Sequence, residues 1–205
     1  MKQLRQIIRG IILQEGMATP NDLPHNIGVC ISEWYGKIDI FYCEILTDGS
    51  MGAGYKFSNP TGGIWGIVKI TNMSLGAQNC NGALAINGTE AKSGYGPLLY
   101  DVAMEVASMK GTGLVADRKQ VSKSAQRVWQ YYLQNRVPTG EIKVFQCDDE
   151  NNSLTKPTLD NLNQKVSRET NPEDWTQSPL SKRYSKEPTT ISSMRDKIFW
   201  ESQDA

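Results

Sequence analysis

The sequence predicts an α/β (α+β) protein with a mixed, mostly antiparallel sheet flanked by helices. Three observations lead there. Short β-rich runs bounded by turn residues fill the stretch from Ile27 to Ile70, apolar residues take up helical spacing from Pro97, and the region from Ala83 to Asn135 alternates as strand, helix, strand, helix. The organisation that follows has three parts: residues 1–24, an amphipathic helix and linker; residues 25–147, the folded domain; and residues 148–205, an extended C-terminal arm.

Leu4, Ile7, Ile8, Ile11 and Ile12 recur at helical spacing with Lys2, Arg5 and Arg9 between them, which predicts a short amphipathic helix at the N-terminus. Docking on its own core and docking on a partner both suit a helix so placed. The domain opens with strands over Ile27–Trp34 and Lys37–Leu46, joined near Tyr35-Gly36. A third strand, Ile64–Ile70, follows a Gly/Pro-rich connection from Asp48 to Gly63. Together they read as an antiparallel meander. A fourth strand near Ala83–Asn87 enters a glycine-flanked turn, and Pro97–Met109 then carries Leu98, Leu99, Val102, Val106 and Met109 at helical spacing. Thr112–Ala116 predicts a brief strand, Asp117-Arg118 a turn, and Ser122 the cap of a second helix running to about Asn135. From Asp148 the composition changes to Asn, Ser, Thr, Pro and charge. Isolated anchors at Leu154, Leu159, Leu162, Trp175, Leu180, Tyr184, Ile191 and Phe199 punctuate this arm, a composition that orders on a partner or by wrapping the domain.

Composition narrows the function classes without naming one. A chain of 205 residues with 39% hydrophobic and 21% charged residues can build one substantial core. Lysine plus arginine and aspartate plus glutamate both number 22, so no net field draws the protein to nucleic acid or to an anionic membrane. No apolar run approaches the ~20 residues of a membrane span. The start leads into an amphipathic segment instead of a signal core, so a cytosolic origin is expected, and the sequons at Asn72, Asn87 and Asn151 have little meaning there. The cysteines at 30, 43, 80 and 147 lack ligand spacing and His25 is the only histidine, which argues against a metal site or a Cys-His catalytic pair.

The run Ala91-Lys92-Ser93-Gly94-Tyr95-Gly96-Pro97-Leu98-Leu99-Tyr100 is the most informative motif. Gly94 and Gly96 let a ligand approach the backbone, and the amides of the turn and of the first helical residues suit an anion. Pro97 fits the first helical position but removes one donor. A tight strand-to-helix turn without a ligand is the competing reading, and Leu99 stands where a dinucleotide fingerprint would want its third glycine.

This order of elements, with the glycine pair between strand and helix, resembles the acetyl-CoA-binding core of the GNAT acyltransferase superfamily over roughly residues 27–137. The resemblance implies acetyl-CoA as cofactor. Lys92, Ser93, Gly94, Tyr95 and Gly96 would hold its pyrophosphate, Leu84, Ala85 and Ile86 would pair with the pantetheine arm, and Ser122 and Ala125 match the family's Asn-x-x-Ala at the next helix. Ala91 stands where the family has Gln or Arg. Trp129 occupies the place of a tyrosine that protonates the departing thiolate, and an indole does not readily give up its proton. Tyr132, within one turn, is the substitute hydroxyl if the helix is rotated; Tyr131 and Tyr132 read more readily as core or interface aromatics. For a base, Glu44 on the second strand and Asp117 beyond the short strand are the candidates, whereas Asp101 and Glu105 read as structural carboxylates on the helix after the turn.

A longer likeness joins Gly94 to Glu105, Asp117-Arg118, Val121-Ser122, Ala125, Val128-Trp129 and Leu180-Ser181-Lys182-Arg183-Tyr184. These phrases resemble a group of tailed-bacteriophage proteins with a GNAT-like core, labelled acetyltransferases or virion-associated proteins. Two functions follow from the resemblance: a phage-encoded N-acyltransferase using acetyl-CoA, or an inactive structural or adaptor component of the virion whose terminal helix and arm bind neighbouring subunits. Host cytoplasm during infection, or the virion, is the implied location.

Overall fold

A computed structural model describes residues 17–54, 63–72, 80, 82–147 and 164–202. The expected N-terminal helix, the middle of the Asp48–Gly63 connection and the start of the arm lie outside these residues. The protein is mixed α/β, with a mostly antiparallel sheet and four α-helices among the described residues. None of those helices is long and apolar enough to cross a membrane. The chain divides into two compact units.

The first unit contains residues up to Lys69, Thr89–Val102 and the chain from Thr190. Strands β1 (Ile27–Trp34) and β2 (Lys37–Ile45) pair antiparallel from Ile27↔Glu44 to Trp34↔Lys37. Their two-residue hairpin puts Tyr35 at φ 45° and Gly36 at φ 71°, the left-handed pair that matches the twist of the flanking strands. Strand β3 (Met51–Gly54) pairs with β2 inside the connection expected to be irregular. Two glycines in four residues hide its strand pattern. Strand β4 (Gly66–Asn72) neighbours β2 on the other side, and β9 (Ile198–Ser202) runs parallel to β1 at its outer edge. Ile27, Val29 and Ile31 from β1 and Ile38, Ile40 and Tyr42 from β2 form the buried centre.

The second unit contains Ile70–Gly88 and Ala103–Thr189. Here the strand order is β5 (Leu84–Ala91), β6 (Leu114–Val115), β8 (Lys182–Lys186), β7 (Ile142–Gln146), with β5 and β6 parallel and the other pairs antiparallel. Helix α1 (Gly96–Lys110) follows β5, and like β4 and β5 it threads both units. Val102 to Ala107 are buried on every side, so Met109, placed on the apolar face by its spacing, is instead half exposed at the helix end. Helix α2 (Lys123–Tyr131) starts at Ser122, whose Oγ accepts from the Ala125 amide at 3.2 Å. It continues as one π-helical turn, Tyr132–Arg136.

Residues 164–202 are built into the fold, the wrapping that the sequence left open, and do not lie apart from it as an arm. Helix α3 (Lys165–Thr170) precedes β8, which inserts between β6 and β7, and α4 (Thr189–Ser193) leads on to β9. The spaced anchors explain the difference: Trp175, Leu180 and Tyr184 are 2%, 0% and 0% exposed, spent on this protein's own core. A buried ion pair ties β8 to α1, the Lys186 ammonium meeting the Glu105 carboxylate and donating to Thr189 Oγ1 at 2.9 Å.

Candidate functional site

The turn between β5 and α1 is built entirely in the first unit. The Lys92 amide donates to the Trp65 carbonyl at 3.0 Å and the Tyr95 amide to the Lys92 carbonyl at 3.1 Å, which closes the chain into a tight bend. Gly94 sits at φ 87°, where any other residue would be strained. Its carbonyl accepts from the Ala18 amide at 2.9 Å, and the next carbonyl, of Tyr95, accepts from Tyr42 Oη at 2.8 Å. The carbonyls of the turn are therefore held by the protein. Three of its amides are not: among the described residues those of Ser93, Gly94 and Gly96 meet no acceptor.

Several features make this bend receptive to an anion. The first turn of α1 carries no acidic residue, and the helix dipole adds partial positive charge there. A Cβ at Gly96 would lie 3.7 Å from Ala91 Cβ, an ordinary contact, so the space beside Gly96 is open. Lys92 is exposed, with its ammonium 5.7 Å from the centre of the Tyr95 ring.

Tyr42 is a residue the sequence did not single out. It is fully buried, burial first and the neighbouring Tyr95 and Asp101 next push its phenol well above the usual tyrosine range, and it remains a donor. Its ring meets the Tyr95 ring edge-on at 6.0 Å. A lone tyrosine in the apolar alternation of β2 was the available signal. By strand alternation Glu44 shares the face of Tyr42 and is half-buried.

The second unit holds the other expected site residues. Leu84 pairs with Leu114 and Ala85 with Val115, and there the parallel pairing ends, because β6 stops while β5 continues. From Ile86 onward the edge of β5 that faced β6 has no strand partner among the described residues. Asp117, just past β6, uses Oδ1 to accept from the Lys119 amide at 2.7 Å, an Asx turn. The Ser122 hydroxyl is engaged as the helix cap. Trp129 is 1% exposed and packs against Tyr184 at 4.9 Å and Tyr132 at 6.3 Å. Tyr132 is fully buried, with the Arg136 guanidinium 5.3 Å from its ring centre.

No family model matches this chain, and no curated protein or solved structure is detectably similar to it. The geometry therefore carries the functional argument by itself. A separate cleft of about 280 Å³ in the second unit, lined by Ser108, Thr112, Glu141, Lys143 and Lys186, is less suited to a ligand. Its charges already meet one another: Lys186 with Glu105, Lys143 with Glu187 at 3.6 Å, and Glu141 with Arg136.

Proposed function

We propose that the protein is a GNAT-like N-acyltransferase that takes an acyl group from acetyl-CoA and passes it to an amine. The observation that supports this best is the fork in which β5 and β6 run parallel for two residue pairs and then part. An unpaired strand edge offers alternating N–H and C=O groups to an extended chain with amides of its own, as a sheet edge does to an added strand. The pantetheine arm is such a chain. The arm would run beside the unpaired part of β5 from Ile86 onward, because Leu84 and Ala85 are already paired with Leu114 and Val115, and the unsatisfied amides of Ser93, Gly94 and Gly96, with Lys92, would meet its pyrophosphate.

The bound coenzyme would supply an activated thioester. Glu44, half-buried on the face of β2 that carries Tyr42, would serve as the base for the ammonium proton of the acceptor. Asp117 is the alternative, since its Oδ2 takes no part in the Asx turn. Tyr132 would need to be uncovered before its hydroxyl could reach a departing thiolate. Release of free thiol from acetyl-CoA in the presence of mixed primary amines tests the proposal. Thiol release that Gly96→Glu abolishes supports it; equal release by both proteins refutes it.

A second reading, favoured by the burial of both Trp129 and Tyr132, is a structural or adaptor component of a phage particle that keeps the fold without turnover. Mass spectrometry of purified particles separates the two. Presence at fixed stoichiometry supports the structural reading, and absence removes it.

A further inference from the structure

The four cysteines, which lack metal-ligand spacing in sequence, fall into two separate pairs. Cys30 on β1 and Cys43 on β2 lie diagonally across the hairpin with Cα atoms 6.1 Å apart, and the structure joins them. Cys80, ahead of β5, is joined to Cys147, after β7, at a Cα separation of 5.5 Å. Both separations fall within the disulfide range. Each pair lies within one unit, and no cysteine of the chain is left over. All four are buried, Cys43 and Cys80 completely. The second pair packs with Ala83, Ala85 and Val115, directly behind the point where β5 and β6 part.

We infer that the mature protein is a two-disulfide protein, Cys30–Cys43 and Cys80–Cys147, which completes its folding where thiols are oxidised and not in a reducing cytosol. Each bond forms when two thiols lose two protons and two electrons to an oxidant, a dithiol–disulfide oxidoreductase or dioxygen. Burial then shields the bonds from soluble thiols, so they act as permanent staples and not as a switch. This location is an alternative to the cytosolic expectation drawn from the N-terminal sequence, and it is tested apart from the acyltransferase reading.

The test equilibrates the purified full chain in a glutathione buffer poised like the extracellular space. The protein is then denatured without reductant, its free thiols are alkylated and its peptides mapped. The expected result is no alkylated cysteine and two cross-linked peptide pairs, 30 with 43 and 80 with 147. Any alkylated cysteine at that poise, or any other pairing, overturns the inference. The double variant Cys80→Ser/Cys147→Ser is expected to keep the 30–43 link; its loss would show that the pairs are not independent staples and would overturn the assignment. Reduction of the wild-type protein is expected to lower its thermal midpoint by about 10 °C or more, and an unchanged midpoint would contradict a need for oxidation in folding.

Discussion

The hydroxyl of Tyr42, buried in the middle of β2, donates a 2.8 Å hydrogen bond to the carbonyl of Tyr95 in the turn that leads into α1. That bond satisfies the Tyr95 carbonyl and ties the turn to β2. Tyr42→Phe removes the donor and leaves a part-buried carbonyl unsatisfied, which costs about 1–2 kcal/mol. A lower thermal midpoint is expected together with several-fold weaker acetyl-CoA binding. Unchanged affinity would show that Tyr42 serves the core alone.

The two turn glycines are expected to behave differently. Gly94 occupies φ 87°, so Gly94→Ala pays a left-handed backbone penalty of roughly 1 kcal/mol. Gly96→Ala places its Cβ 3.7 Å from Ala91 Cβ and needs no left-handed backbone. Denaturant unfolding of both variants should show a loss for the first and near-neutrality for the second. That outcome is also what makes Gly96→Glu a fair negative control for binding.

Glu105 and Lys186 form a pair whose side chains are 0% and 1% exposed. Removing one partner leaves the other charge buried, so Lys186→Met or Glu105→Leu should each destabilise by about 3–5 kcal/mol. The double replacement Glu105→Leu/Lys186→Met should recover most of the loss. Urea midpoints of the three variants, compared with wild type, measure this coupling.

Glu141 titrates below the usual glutamate range, chiefly through its hydrogen bond from Arg136. A carboxylate whose folded pKa is lowered adds stability above its unfolded value, about 4.3, and loses it as pH falls through the lower folded value. Glu141 is 41% exposed, so solvent screening holds the effect to less than about 1 kcal/mol. Arg136→Gln should flatten this part of the stability profile between about pH 5 and pH 3 and leave the profile above pH 6 unchanged.

The Cys80–Cys147 bond spans 67 residues and the Cys30–Cys43 bond 13. Loop-closure entropy assigns ~4 kcal/mol to the first and ~3 kcal/mol to the second. Removing the longer bond with paired serines should therefore lower the urea midpoint more than removing the shorter one.

Local signals were readable wherever one segment carried its own evidence. The Tyr35-Gly36 hairpin, the Ser122 cap and the apolar face of α1 follow from spacing and turn chemistry within a few residues. What escaped depends on partners far along the chain. Strand β8 is a run of Lys, Arg, Tyr, Ser and Lys with no apolar alternation, and it holds its place through ladders to β6 and β7 and through buried Tyr184. The cysteine pairs span turns and whole elements, so spacing could not reveal them. In the candidate site the turn itself was legible, but Tyr42 lies 53 residues from the carbonyl it holds, and the fork of β5 and β6 exists only because β6 ends after two residues.

A calorimetric titration with acetyl-CoA, with desulfo-CoA and Gly96→Glu as controls, tests most directly the proposal that this glycine turn binds a coenzyme A thioester. Binding near the micromolar range, about −8 kcal/mol, retained with desulfo-CoA and abolished by Gly96→Glu, is the expected result. No heat of binding at millimolar acetyl-CoA would contradict the claim and leave the turn as a strand-to-helix connection only.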